Sequence, residues 1–229
     1  MIKKDHTFKI EPLGDRGLVF YFDQEISARV HEEVMGWTRT LESNPLPFQK
    51  ALIPAYASLT LLFSKALTAK EMKFLQVSIG KFKEKNVSLG AIKKTQIVEV
   101  PVIYGGEEGP DLEEVARIHQ LTVEEVIRLH SEPLYEVYQI GFTPGFPYLG
   151  GLPPQLRTPR LSNPRLKVLA GSVGIGDAQT GVYTVDGPGG WRIIGRTLLP
   201  LFDHDRNPPA LLKAGMKVKF VVQNTVGKK

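Results

Sequence analysis

The 229-residue sequence contains no cysteine. Disulfide bonds, thiolate zinc sites, thiol catalysis and iron–sulfur clusters are therefore excluded, since each needs a cysteine sulfur. The sequence also lacks an apolar run approaching the roughly 20 residues of a transmembrane helix, and no apolar signal-peptide core follows Met1. We therefore expect a cytoplasmic protein without a membrane partner, stabilised by packing alone.

Familiar catalytic and nucleotide-binding motifs are missing too. There is no Ser/His/Asp elbow and no His-Glu-x-x-His, and the five histidines are scattered. Gly171, Gly174 and Gly176 give G-x-x-G-x-G, which is neither a P-loop nor a dinucleotide fingerprint. We predict no metal site, assign no catalytic residue and expect no standard ATP site in this chain.

The formal charge of +5 does not indicate a nucleic-acid partner. Lysines and arginines are dispersed along the chain, and the densest group is typical of a solvated helix end and loop: Lys81, Lys83, Lys85, Lys93 and Lys94. Hydrophobic residues make up 42% and charged residues 23% of the chain, which predicts a packed globular protein.

Two domains are predicted, 1–92 and 93–229. In the first, strand patterns over 8–13 and 17–22 precede an amphipathic helix over 27–41, which is followed by strands within 51–63 and a helix over 68–85. This order predicts a small α+β sandwich, with helices on one face of an antiparallel sheet.

The second domain begins with a strand over 97–102. Capping-box spacing pairs Asp111 with Glu114 and Thr122 with Glu125, and predicts a short helix after each pair. Beyond residue 135, glycine and proline separate short apolar runs that predict a closed or nearly closed β-barrel: 135–140, 167–170, 181–185, 191–194, 198–202 and 218–222.

A series of motifs in residues 100–203 then becomes specific. In chain order they are VPVIYGG at 100–106, GPDL at 109–112, GFTPGFPYLGGLP at 141–153, PR at 159–160 and 164–165, AGSVGIG at 170–176, QTGVY at 179–183, PGGWRIIGRT at 188–197 and LFD at 201–203. Their order resembles the signature of the family that contains KipI, the B subunit of 5-oxoprolinase and allophanate hydrolase subunit 1. Leu169 and Gly187 depart from the proline and serine usual there.

The resemblance implies an α+β fold class, a small N-terminal α/β sandwich followed by a C-terminal cyclophilin-like β-barrel. It also implies a subunit of an ATP-dependent 5-oxoprolinase complex, which hydrolyses 5-oxo-L-proline to L-glutamate. The implied partners are a homologous protein, KipA or the C subunit of 5-oxoprolinase, together with a third subunit of the LamB/YcsF type. ATP would act at the level of the complex, and the isolated chain would be inactive.

Other roles stay open at this point. Within the family, one member inhibits a sporulation histidine kinase, so a regulatory role with a kinase partner is one alternative. A carboxyltransferase subunit linked to urea carboxylase or allophanate hydrolase is another. The barrel type alone suggests a prolyl isomerase.

Candidate site residues are cationic or polar. Guanidinium groups suit carboxylates, and glycines allow backbone N–H groups to approach an anion. 5-Oxoproline bears a carboxylate and a lactam carbonyl, so we predict a substrate-binding pocket lined by Arg160, Arg165, Gln179, Thr180, Ser172 and Arg196. The alternative is that each arginine pairs with an acidic residue and the glycines serve turns.

Two further groups allow two interpretations. Phe142, Phe146, Tyr148 and Trp191 form either an aromatic wall for a ligand or part of the barrel core or a partner-facing patch. His130 closes a predicted helix, where an imidazolium would favour the helix dipole; a general base is the other hypothesis.

Overall fold

The computed structural model describes residues 8–84 and 96–223, with the side chains of 81–84 left out. The chain divides into two compact units, Met1–Lys94 and Thr95–Lys229. The predicted boundary near residue 92 lies outside the described residues, as do three lysines of the predicted cluster, Lys85, Lys93 and Lys94.

The first unit is a four-stranded antiparallel sheet with two helices. Its elements are β1 (Lys9–Pro12), β2 (Gly17–Tyr21), α1 (Ala28–Ser43), β3 (Gln49–Pro54), β4 (Ser58–Phe63) and α2 (Ala69–Glu84). The strand order is β1-β2-β4-β3, and every pairing is antiparallel. The α+β prediction for this half is confirmed.

Helix α1 follows its sequence pattern closely. The Ser27 side chain accepts a hydrogen bond from the Val30 backbone N–H and caps the helix. Val30, Val34 and Trp37 are buried in one core with β2 and β4, which residues of α2 also join. Pro54 ends the edge strand β3, where its missing N–H removes no ladder hydrogen bond.

The second unit consists of a barrel, a separate two-stranded sheet, two α-helices and a short 3₁₀ helix. Its elements are β5 (Ile97–Tyr104), α3 (Leu112–His119), α4 (Val123–Ser131), β6 (Tyr135–Ile140), β7 (Pro147–Gly150), a 3₁₀ helix (Pro154–Leu156), β8 (Arg165–Val168), β9 (Ser172–Gly176), β10 (Gln179–Val182), β11 (Gly187–Gly189), β12 (Arg192–Arg196) and β13 (Lys217–Val222).

Seven strands close the barrel in the order β10-β7-β6-β13-β5-β12-β9, with β9 pairing back to β10. Strand β13 runs parallel to β5, while its pairing with β6 is antiparallel. Strands β8 and β11 form a separate two-stranded sheet. The predicted barrel is confirmed; a cyclophilin-like topology stays a prediction.

The strand predictions fail where glycine or proline is frequent. Strands β7, β9 and β11 were not predicted, because Pro147 opens the first and glycines alternate in the other two. The predicted strand over 198–202 is wrong: this stretch contributes one isolated bridge, between Phe202 and Ala210.

The two predicted capping boxes have different outcomes. The Thr122 hydroxyl accepts from the Glu125 N–H and the Glu125 carboxylate accepts from the Thr122 N–H, so this box is confirmed. Asp111 makes no capping bond, and that prediction is wrong. Its two oxygens accept instead from Arg165 and from the Ile193 backbone N–H, each at 2.6 Å.

Candidate functional site

A cavity of about 300 Å³ lies between strand β11 of the two-stranded sheet and the barrel wall. Tyr148 belongs to β7, while Tyr183 and Trp191 lie just after β10 and just before β12. We call it the aromatic cavity, and its lining residues are Phe142, Phe146, Tyr148, Arg160, Leu161, Pro164, Tyr183, Pro188, Gly189, Gly190 and Trp191.

Phe146 is the centre of the aromatic lining. Its ring meets four others edge-to-face, at centroid distances of 5.6 Å to Phe142, 4.9 Å to Tyr148, 5.3 Å to Tyr183 and 5.6 Å to Trp191. Such contacts fix ring orientation and add about 0.5–1.5 kcal/mol each beyond area burial. Phe146 is buried and Phe142 is 60% exposed, so the cavity has a rigid floor and an open apolar rim.

Glycines of β9 and β10 support the Trp191 indole. A Cβ at Gly176 would lie 2.5 Å from the indole Nε1, and one at Gly181 would lie 3.0 Å from the Phe146 ring. Both positions therefore require glycine for close packing of rings. The approach of backbone N–H groups of this glycine-rich segment to an anion stays a prediction.

Arg160 supplies positive charge at the rim. Its Nε donates to the Asp177 carboxylate at 2.9 Å, and its guanidinium carbon lies 5.9 Å from the Trp191 ring centroid. Within residues 8–84 and 96–223 we find no hydrogen bond from its two terminal nitrogens. Because a guanidinium can bind a carboxylate through such a pair of nitrogens, Arg160 can hold an anionic ligand without losing Asp177.

Both tyrosine hydroxyls of the cavity are neutral near pH 7. Burial raises the pKa of Tyr148 and of Tyr183, and the positive charge of Arg160 opposes the rise in each. The cavity therefore offers an aromatic floor, one rim cation and neutral phenols, a lining suited to a small ring that carries a carboxylate.

Three other arginines are bound by carboxylates. The pairs are Arg165–Asp111 at 2.6 Å, Arg192–Glu114 at 2.5 Å and Arg196–Glu108 at 3.3 Å. These contacts match the alternative interpretation of the arginines. Arg196 also donates to the Ala170 carbonyl and lines a second cavity of about 200 Å³.

The six predicted binding residues are not brought to one pocket. Arg160 lines the aromatic cavity, whereas Thr180 is buried and its hydroxyl bonds His130 and the Gly174 carbonyl. The cause is strand alternation, since Thr180 and Gly181 face opposite sides of β10. Substrate contacts of Arg165, Gln179, Ser172 and Arg196 stay predictions.

His130 is fully buried inside the barrel unit. Its Nδ1 lies 2.8 Å from the Tyr104 hydroxyl and its Nε2 lies 2.8 Å from the Thr180 hydroxyl, while its ring stacks on Phe220. Burial lowers the pKa of His130 to about 3. The imidazolium interpretation is therefore wrong, because the ring is neutral at physiological pH.

Potential metal ligands come together at one surface position of the described chain. Asp203, His204 and Asp205 place one ligand atom each within 4.8 Å of the others, and all three are exposed. Solvated groups of this kind are common without an ion, so we assign no metal to them.

Sequence reasoning missed the role of Tyr183. Its ring is 3% exposed and lines both cavities, and its hydroxyl approaches Gly189 of β11. The sequence shows a tyrosine after β10 and a Pro-Gly-Gly segment after it. Their contact in the folded chain, which gives Tyr183 its position, is not visible in the sequence.

The family model that matches residues 8–212 is described as carboxyltransferase domain, subdomain C and D. The chain belongs to this family. A relative from Bacillus subtilis (strain 168), named as the B subunit of 5-oxoprolinase, is 44% identical over 221 residues, which cover 93% of this chain and 92% of the relative. A relative of the same name from Haemophilus influenzae is 58% identical over 126 residues, 55% of this chain and 59% of that protein. The resemblance to the family of the 5-oxoprolinase B subunit is confirmed.

Solved structures share the architecture of this chain. TTHA0988 has a TM-score of 0.76 at 35% identity, covering 91% of this chain and 40% of that one. PH0987 from Pyrococcus horikoshii has a TM-score of 0.56 at 40% identity, covering 95% and 98%. Urea carboxylase from Kluyveromyces lactis, at a TM-score of 0.70 and 18% identity over 95% of this chain and 22% of that one, shares the fold. In the described part of this chain, no helix has the length and apolarity needed to span a membrane.

Proposed function

We propose that this carboxyltransferase-domain protein is a subunit of a 5-oxoprolinase complex and binds 5-oxoproline in the aromatic cavity. The relative from Bacillus subtilis, which aligns over 92% of its length, supports the role in such a complex. The observation that carries the substrate assignment is the position of Arg160 at the rim of a cavity whose other lining residues are aromatic or uncharged.

The chemistry of the cavity matches the two ends of this substrate. The flat five-membered ring packs against the Phe146 and Trp191 rings, which exclude water from it. The carboxylate binds the terminal nitrogens of Arg160, opposite the nitrogen that holds Asp177. The lactam is thereby oriented and shielded before its C–N bond is broken.

Hydrolysis of the lactam adds water across that C–N bond, with hydroxyl to the carbonyl carbon and hydrogen to nitrogen. The amide is unreactive, and the proposed complex couples its opening to ATP hydrolysis. The sequence of this chain has no nucleotide fingerprint, so we place the ATP site in the two proposed partners, the KipA-like homologue and the LamB/YcsF-type protein.

The test is reconstitution from purified subunits. ATP-dependent release of glutamate from 5-oxoproline is expected when all three are mixed, and is expected to be absent when any one is omitted. Arg160→Ala in the complete mixture should raise KM about tenfold, the value of one lost charge-assisted contact. Arg157→Ala is the matched control, because Arg157 is exposed and does not line the cavity.

Two results would reject the proposal. One is full activity in a mixture that lacks this chain. The other is a KM for Arg160→Ala equal to that of Arg157→Ala. The kinase-inhibitor, carboxyltransferase and prolyl-isomerase hypotheses stay predictions, and no contact in the described residues favours one of them.

A further inference from the structure

Tyr183 occupies a fixed position on the inner wall of the aromatic cavity. Its ring meets Phe146 at 5.3 Å and Phe142 at 6.3 Å, both edge-to-face, and is 3% exposed. Its hydroxyl lies against β11, where a Cβ on Gly189 would collide with the oxygen. The Tyr183 hydroxyl is therefore held against Gly189, a position of the cavity wall that has no side chain.

The hydroxyl proton of Tyr183 is available to a ligand. The Trp191 backbone opposes the rise of the Tyr183 pKa that burial causes, the effect of an N–H directed at the hydroxyl oxygen. In the part of the chain that the structure describes, we find no acceptor for the proton itself. Tyr183 lines the aromatic cavity, so a ligand carbonyl there could accept this proton.

Two guanidinium groups add positive potential around this phenol. Arg160 and Arg165 both act on Tyr183, while burial keeps the hydroxyl protonated. Arg165 pairs across β8/β11 with Gly189, and its Nη1 is buried without a hydrogen-bond partner among the described residues. This surrounding favours a carbonyl oxygen on which negative charge develops.

We propose that the Tyr183 hydroxyl donates a hydrogen bond to the lactam carbonyl oxygen of 5-oxoproline, an inference that rests on the proposed function. Arg160 at the rim and Tyr183 at the inner wall then recognise the two polar ends of one small ring. Because Tyr183 binds the carbonyl and Arg160 binds the carboxylate at different places in the cavity, a substitution can remove one of the two contacts without the other.

The experiment uses the assembled complex and two partial substrates as competitive inhibitors. 2-Pyrrolidinone has the carbonyl without the carboxylate, and cyclopentanecarboxylate has the carboxylate without the carbonyl. Tyr183→Phe should weaken the binding of 5-oxoproline and of 2-pyrrolidinone about three- to tenfold, which is the effect of one lost hydrogen bond. The binding of cyclopentanecarboxylate should not change. Arg160→Gln should show the opposite selectivity between the two inhibitors.

Tyr138→Phe is the control, since Tyr138 is a buried barrel tyrosine that does not line the cavity. Thermal unfolding verifies that each variant is folded. Equal inhibition constants for wild type and Tyr183→Phe would overturn the inference, as would an equal loss for both inhibitors, which marks a merely structural role. A wild-type complex that binds neither 5-oxoproline nor either inhibitor would reject the proposed function itself.

Discussion

Asp111 and Arg165, 54 positions apart in the chain, join the start of α3 to strand β8 through a 2.6 Å contact between carboxylate and guanidinium. The Asp111 side chain is buried, and its second oxygen accepts from the Ile193 backbone N–H. One aspartate thus ties together a helix, the two-stranded β8/β11 sheet and the barrel strand β12.

Replacement of Asp111 by serine separates this role from helix capping. Serine caps a helix well, so Asp111→Ser would be nearly neutral if the residue were a cap. We expect instead a loss of about 2–3 kcal/mol in the free energy of unfolding, because Arg165 loses its partner. Urea unfolding followed by Trp191 fluorescence measures it in a Trp37→Phe background. Thr122→Ser, at a true cap, is the control; equally small losses at both sites would contradict the assignment.

His130 predicts a pH dependence of the barrel unit. Its pKa of about 3 in the folded chain lies below the ordinary 6.5, so the unfolded chain binds a proton that the folded chain does not. The stability that the neutral His130 side chain allows is therefore full above pH 6.5. As the pH falls toward 3, the free energy of unfolding decreases by up to about 1.4 kcal/mol per pH unit.

His130→Gln should therefore flatten the fall in urea midpoint between pH 7 and pH 4. Val137→Ala, a buried change without an ionisable group, should lower the midpoint and leave the pH dependence as in wild type. If the urea midpoint of His130→Gln falls with pH as steeply as that of the wild type, another group controls acid unfolding of this unit.

Gly176 predicts a steric effect on the aromatic cavity. A methyl group there would meet the Trp191 indole at 2.5 Å, so Gly176→Ala must displace the ring at a cost of about 1–3 kcal/mol. We expect a shifted Trp191 emission in a Trp37→Phe background and weaker binding of 5-oxoproline by the complex. Gly187→Ala is the matched control, since nothing lies within 4 Å of its added Cβ. Unchanged emission in Gly176→Ala would refute the packing role.

Glu71 predicts acid sensitivity of the first unit. Its carboxylate bonds the Lys65 ammonium and the Thr68 N–H and hydroxyl, which lower the pKa of Glu71 to about 2 from its ordinary 4.5. Stability from this group is present above pH 4.5 and is lost as the pH falls toward 2. Since the site is exposed, salt should weaken the effect. Two-dimensional NMR titration of Glu71, in low and high salt, tests both statements; a titration midpoint near 4.5 at low salt would contradict them.

Features that depend on near neighbours were predictable from the sequence. Helix α1 followed from apolar spacing, and the Thr122 box followed from a three-residue interval. The Asp111 box has the same interval, yet its carboxylate finds a stronger partner 54 positions away. Spacing alone cannot distinguish these two cases, because the donor that competes for Asp111 is Arg165, in a strand distant in the chain.

The candidate site shows the same division. The sequence identified the aromatic residues and Arg160, but not which of them meet. Thr180 was predicted to face a ligand, and the register of β10 turns it into the barrel. Tyr183 gained its role from the approach of β11, a contact that no local pattern encodes.

The parallel pairing of β13 with β5 has a consequence for the order of synthesis. Strand β13 follows the other described strands in the chain, yet it fills the gap between β5 and β6. A nascent chain emerging from the ribosome therefore carries two strands with unpaired edges until residue 222 has been released. Ribosome stalling or truncation before Lys217 would leave an open sheet that is prone to aggregation, even if the strands that line the aromatic cavity are complete.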